Sequence, residues 1–189
     1  MALYAKVVGG VIVAREQKDS PASATSSDGG PVWRPIVEDK PAFDARHQRL
    51  VGPVEVIEQA QVVRRWSVEA IPHAEMADRV AQERERRLAT GFAYDFGDVR
   101  GVHRIGTTEQ DMVGWNEVTS VAQAAISAGA PSMEIEIITN TGPATITALE
   151  WQSILLSAGA ARQPIWAASF AIQALDPIPA DYADNARWP

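Results

Sequence analysis

The side chains able to do chemistry in this chain are few and scattered. Its three histidines, His47, His73 and His103, fall in three separate predicted elements. No pair of them has the spacing of a metal-binding helix or hairpin. His73 and Glu75 stand two apart, on different faces of the helix expected there, so each histidine reads as an ordinary surface residue. Glu134 and Glu136 share one face of a β-rich run, but a glycosidase pair comes from separate elements that face across a cleft. They read as a solvated face opposite Met133, Ile135 and Ile137. Asp181 and Asp184 lack the frame of a calcium loop. There is no cysteine, hence no thiolate nucleophile, disulfide or Cys-ligated metal. No Gly-x-Ser-x-Gly elbow occurs. Gly97-Asp98-Val99-Arg100-Gly101 lacks the third glycine and the strand–helix setting of a dinucleotide loop. No catalytic residue, metal or cofactor is therefore expected.

Composition narrows the classes further. The chain has 189 residues, 46% hydrophobic and 22% charged, enough for a sizeable core. A net charge of −7 argues against a nucleic-acid partner, which needs clustered cations to displace counterions. Most of the basic residues are arginine; Lys6, Lys18 and Lys40 all precede residue 92. The N-terminal residues show no apolar core or cleavage site of a signal peptide. No apolar run reaches the roughly 18–20 residues that a membrane span needs.

The elements that would position these residues predict an α+β chain. Residues 1–71 read as a small antiparallel β domain of about five strands. Gly9-Gly10 is a hairpin turn between residues 3–8 and 11–15. Residues 20–30 are small and polar, a surface loop. Pro35 predicts an edge strand over 32–37, because proline cannot donate to a ladder. Trp33 and Trp66 are expected to support this domain.

Pro72 opens a charged helix whose apolar stripe, Met76, Val80 and Leu88, is thin. Residues 72–90 therefore read as a linker helix that ends at Gly91.

Residues 91–175 read as hairpin–helix–hairpin–helix. Gly97-Asp98 predicts a two-residue turn that sets Phe96 opposite Val99, Asp95 opposite Arg100 and Phe92 opposite His103. Thr107 with Gln110 has capping-box spacing, and Thr147 with Glu150 repeats it. Met112, Trp115, Val118, Ala122, Ala125 and Ile126 form a clear helical stripe. The last helix carries apolar residues around much of its circumference, and Pro164 should kink or break it.

Residues 176–189 form a Pro-rich tail expected to run extended. Ile178, Tyr182 and Trp188 can pin it to its own domain or to a neighbouring subunit. The over-apolar last helix makes Trp151, Leu155, Ile165, Trp166 and Phe170, with Trp188 of the tail, the candidate subunit-interface residues.

A family resemblance runs through most of the chain. Tyr4-Ala5 with Gly9-Gly10-Val11-Ile12-Val13, Trp33, Pro41-Ala42-Phe43-Asp44, Gly52-Pro53 and the run from Val62 to Val68 resemble the opening of tailed-bacteriophage tail-appendage (tail-fibre-like) proteins. The charged helix after Glu75 is similar to the one that follows in such proteins. Gly91-Phe92-Ala93-Tyr94, Gly106-Thr107-Thr108-Glu109-Gln110 and Thr147-Ala148-Leu149-Glu150-Trp151 are similar to an uncharacterised-function domain common in phage and prophage tail proteins. The segment from Gln163 to Trp166 and the tail depart from it.

The resemblance implies a non-enzymatic virion component of a tail fibre, baseplate or adaptor. Its partners would be other phage tail proteins, and it would form a homo-oligomer, a trimer being favoured. Two alternatives belong to other classes. One is a tail-fibre assembly chaperone absent from the mature virion. The other is a receptor module for a host-surface glycan, which needs an exposed aromatic platform or a carboxylate-lined cleft.

Overall fold

The computed structural model describes residues 1–19 and 30–189, without the side chain of Lys18. Of the residues read as a polar loop, 20–30, all but Gly30 lie outside the described residues. Among the described residues nine strands and three α-helices make a mixed α+β fold, divided into two compact units, Met1–Ile71 and Pro72–Pro189.

In the first unit, β1 (Ala2–Val8), β2 (Val11–Lys18), β3 (Val32–Asp39), β4 (Gln48–Ile57) and β5 (Val62–Ala70) form one sheet in the order β2-β1-β3-β5-β4. Gly9 and Gly10 turn β1 into β2 with positive φ, as the hairpin signal requires. Two expectations fail here. The sheet is not wholly antiparallel, because β3 runs parallel to β5. Nor is β3 an edge strand: it is the central one.

Pro35 is tolerated because β3 changes partners at that point. Residues 32–35 pair with β1 and residues 36–39 with β5, so the missing N–H falls where one ladder hands over to the other. Ala5, Val7 and Val62 are buried together, with Ile12, Ile36 and Ile57 packed on them. On another surface Glu55 accepts from Arg15 (2.5 Å) and Arg64 (3.0 Å), and Glu38 from the Trp66 indole (2.6 Å). Arg15 and Glu55 belong to strands at opposite ends of the strand order. The sheet therefore curls until its outer strands approach, in the sense that strand twist favours.

The second unit contains α1 (His73–Leu88), β6 (Phe92–Asp95), β7 (Val102–Ile105), α2 (Glu109–Ser127), β8 (Glu134–Thr139), β9 (Gly142–Thr147) and α3 (Ala148–Gln173). The helix read as a linker buries its thin stripe inside this unit: Met76, Val80 and Leu88 are all but inaccessible, and α1 packs on α3. Gly91 follows with φ +65°. A Cβ there would lie 2.2 Å from the Ile105 carbonyl oxygen, so only glycine lets α1 turn into β6 this close to β7.

The β6–β7 hairpin does not take the expected register. Phe92 faces Ile105 and Tyr94 faces His103, which leaves a longer loop between the strands. Arg100, expected opposite Asp95, instead turns to Asp98 and Glu150. A tertiary ion pair thus overrides the local turn signal.

Helix α2 starts one residue later than its cap spacing suggests. Thr108 and Asp111 form the capping box, while the Thr107 hydroxyl is buried and donates to the Leu88 carbonyl. Thr147 and Glu150 cap α3 as read. Pro164 does not break α3, which runs through it for 26 residues. Ala160, whose carbonyl loses its bond, lies on the exposed side with Pro164, so water can satisfy that oxygen.

The core of this unit is built by both hairpins and two helices. Phe92, Ile105, Ala125, Ile137, Ile146 and Ile154 are among its buried members. Trp115 packs edge-on to Phe92 (6.3 Å) and to Trp151 (5.3 Å), the geometry that ring quadrupoles prefer.

Candidate functional site

The titratable residues are held apart, as their separate elements dictate. In the first unit His47 Nδ1 lies 3.6 Å from Asp44. In the second, His73 Nε2 meets the Leu175 carbonyl at 3.1 Å, and His103 Nδ1 meets Thr139 Oγ1 at 3.0 Å. Glu134 and Glu136 are exposed on β8. Asp181 pairs with Arg187 at 2.7 Å. Among the described residues no group of three or more acids and histidines has a geometry that could hold a metal ion.

The carboxylates held below their ordinary values are ion-paired. The Arg100 guanidinium bonds Glu150 at 2.5 Å and the Thr145 carbonyl at 2.8 Å. It holds the Glu150 carboxyl below the usual carboxylate range, against the opposing effect of partial burial, and the Thr147 backbone N–H adds to the lowering. Arg46 holds Asp44 at about 2, through side-chain and backbone hydrogen bonds. These groups tie loops and caps together.

The six candidate interface residues divide three ways. Trp151 and Trp188 are buried within the unit itself. Trp151 is 2% exposed inside the core, its indole donating to Thr119 Oγ1 at 2.9 Å. Trp188 is 7% exposed, because the tail folds back onto its own unit instead of running extended. Arg87 stacks on the Trp188 ring at 4.9 Å and donates to the Ala183 carbonyl, and the Trp188 indole donates to the Tyr182 carbonyl at 2.7 Å. A short 3-10 turn, Asn185–Arg187, compacts the end.

Leu155, Ile165 and Trp166 are half-buried, and only Phe170 stands in solvent, at 59%. Circumferential apolarity misleads here, because α3 packs on both α1 and α2 and uses most of its circumference inside the unit.

The remaining outer face of α3 went unrecognised in the sequence. Leu149, Ser153, Leu156, Ala160, Gln163, Ala167 and Phe170 recur at alternating four- and three-residue steps, and every one is exposed. Leu156, next to the predicted Leu155, is 77% exposed. Alternating four–three spacing is the seam pattern of a helix that packs against another helix. No charged residue falls on it: the only charges in α3 are Glu150, bound to Arg100, and Arg162. Counting heptad steps from Leu149, instead of counting apolar residues all round, would have found this stripe.

Compared with protein-family models, curated proteins and solved structures, the chain matches none. Its functional reading therefore rests on its own geometry and on the resemblance in its residue pattern.

Two open depressions flank α2. One, of about 310 Å³, is lined by Gly114, Trp115, Glu117, Glu136 and Ile138 among others. The other, of about 360 Å³, lies between Trp115 of α2 and Leu155, Gly159, Arg162, Gln163 and Trp166 of α3. Arg84 covers one face of Trp166 at 3.9 Å and holds that wall in place. Among the described residues, no helix is long and apolar enough to cross a membrane.

Proposed function

We propose that the chain is a non-enzymatic structural component of a bacteriophage tail (fibre, baseplate or adaptor) that works by docking to other tail proteins and by self-association. The observation that carries the self-association is the uncharged four–three seam on the outer face of α3. Solvent-facing helices normally place charge on that face. A stripe of Leu149, Leu156 and Phe170 interleaved with Ser153, Ala160 and Ala167 offers large and small side chains in alternation. That arrangement lets two such helices approach closely and pack knobs into holes. The resemblance to tail-appendage proteins supplies the biological setting and favours three copies. Closed symmetric assemblies are the usual outcome for a self-complementary surface.

Two measurements test the reading. Light scattering of the purified chain is expected to give a multiple of its monomer mass; a monomer at all concentrations would overturn self-association. Mass spectrometry of particles from the host carrying this sequence is expected to find the chain in the mature virion. Its absence there, with the chain present during assembly, would replace the virion role with that of an assembly chaperone.

A further inference from the structure

Arg162 is the one charge on α3 that is not ion-paired, and its surroundings are unusual. Its Nε is inaccessible and has no hydrogen-bond partner. Its Nη1 is directed at the thioether sulfur of Met112, 2.9 Å away, and sulfur is a weak acceptor. The other arginines of this unit with strong partners bond carboxylates or backbone carbonyls, as Arg79, Arg86, Arg87, Arg100 and Arg187 do. The Nε is sealed from any ligand, so the donors open to one are the terminal nitrogens, of which Nη1 meets only a weak acceptor.

The groove beside it is shaped for an occupant. Trp115 and Trp166 form two walls, each braced from behind: Trp115 by Trp151 and Phe92, Trp166 by Arg84. Gly159 lies on the α3 side. Glycine in a helix interior costs about 1 kcal/mol relative to alanine. Gly159 has an ordinary helical φ, and a Cβ on it would meet nothing within 4 Å. Its own fold therefore has no steric need for glycine there. The missing side chain leaves the groove open instead.

We propose that this groove binds the carboxylate side chain of an acidic peptide segment from a partner protein. Arg162 would pair with the carboxylate, and Trp115 and Trp166 would pack on the apolar parts of the flanking residues. A single guanidinium suits one monoanion, which it can meet with parallel N–H donors. Doubly charged phosphate groups are held by clusters of arginines, which this groove lacks. The open shape and two indole walls give a peptide contact area that a free small carboxylate could not use. Gln163 lines both this groove and the α3 seam, and Phe170 of the seam packs on Trp166 at 5.8 Å, but Leu149 and Leu156 lie outside the groove, so the seam is tested separately at Leu156.

The test is an NMR titration of the full chain with a blocked Ser-Leu-Glu-Leu-Ser peptide, following the indole N–H signals of Trp115 and Trp166. A saturable shift is expected with the Glu peptide and binding at least tenfold weaker with its Gln counterpart. Arg162→Gln should weaken binding to the same degree. Gly159→Leu should also weaken it by filling the groove while leaving the guanidinium in place, which separates loss of the site from loss of fold. Absence of a shift, equal binding of the Glu and Gln peptides, or indifference to both substitutions would overturn the proposal. Acetate saturating at the same midpoint as the peptide would reduce the site to one for free carboxylate and overturn the peptide assignment. Light scattering on the same samples keeps the two readings distinct: a monomer that binds the peptide defeats self-association alone, and an oligomer that ignores it defeats the groove alone. Shifts that track oligomer mass would make the groove an interface between copies, against the proposal.

Discussion

Helices α1 and α3 lie in the same unit and pack on each other, yet their outer faces are opposite in chemistry. The outer face of α1 carries Asp78, Gln82, Glu85 and Arg86, with Arg86 paired to Glu83 (2.6 Å) and Glu85 to Arg84 (2.7 Å), and Glu75 pairs with Arg79 (3.0 Å) at its edge. The outside of α3 carries Leu149, Leu156, Gln163 and Phe170 and no charge. Both helices bury an inner stripe, so core packing does not explain the difference. What differs is what each outer face is built to meet. Charges that satisfy one another keep α1 compatible with water. The bare face of α3 has no such provision, and it is the side on which a second helix can sit.

The largest expected effect is on assembly. Leu156→Glu would place a carboxylate in the middle of the seam, and burying an unpaired charge costs several kcal/mol. Light scattering should then report monomer at concentrations where the parent chain associates. The matching change on α1, Gln82→Glu at an exposed position, should leave the mass unchanged. If Leu156→Glu assembles like the parent, the contrast between the two helices has no bearing on association.

The next largest effect separates core from seam within α3. Trp151→Ala removes a residue that is 2% exposed and loses its bond to Thr119, so about 3–5 kcal/mol of stability should go. Leu156→Ala removes a side chain that is mostly in water. Denaturant unfolding below the association threshold should change by no more than about 0.5 kcal/mol. Both side chains are large and apolar and lie on the same helix, and the two experiments assign them opposite roles.

How α3 begins shows what was legible in the sequence. The Thr147–Glu150 box is a contact over three residues and was readable because its distant partner, Arg100, bonds the Glu150 carboxylate without taking it from the cap: the Thr147 N–H still donates to it at 2.7 Å. The corresponding reading at Thr107 missed by one residue because the Thr107 hydroxyl is drawn to the Leu88 carbonyl, nineteen positions away. The same reason explains the β6–β7 register: Gly97-Asp98 is a good local turn, but Arg100 gains more from Glu150 across the fold. Pro35 looked like an edge marker because a sequence does not show that β3 changes partners at that residue. The α+β class and the helix stripes were visible because periodicity survives without tertiary information. Which apolar residues of α3 are covered was not visible, because that depends on two packed neighbours and a tail that folds back.

The α3 cap itself gives a smaller test, with a defined pH dependence. Thr147→Ala should cost about 1 kcal/mol, whereas α1 opens at Pro72 with no side-chain cap to lose. The Glu150 carboxyl, held low by Arg100, has a folded-state pKa below its unfolded value. Its contribution is therefore complete above the unfolded value and is lost as pH falls through the folded one. Arg100→Gln should lower the denaturant midpoint more at about pH 7 than at about pH 3, because the ion-pair contribution shrinks as pH falls through the lowered folded-state values of Glu150 and Asp98, Arg100's two carboxylate partners. An equal loss at both pH values would mean that Arg100 acts through its bond to the Thr145 carbonyl and its stacking on Phe96 instead.

The smallest effect should come from the outer face of α1, and its smallness is the point. Glu75 and Arg79 stand at i and i+4, with side chains about a third or more exposed, so water and salt screen their attraction. Glu75→Gln should cost about 0.3–0.5 kcal/mol at low salt and less as salt is raised. Association should be untouched. The α1 pairs would then serve mainly to keep one face wet, in contrast to the α3 seam. A loss above about 1 kcal/mol, or a change in oligomer mass on Glu75→Gln, would show that this face is also engaged by a partner. The comparison would then be between two interfaces, one polar and one apolar, and α1 would have to be scanned for contacts as closely as α3.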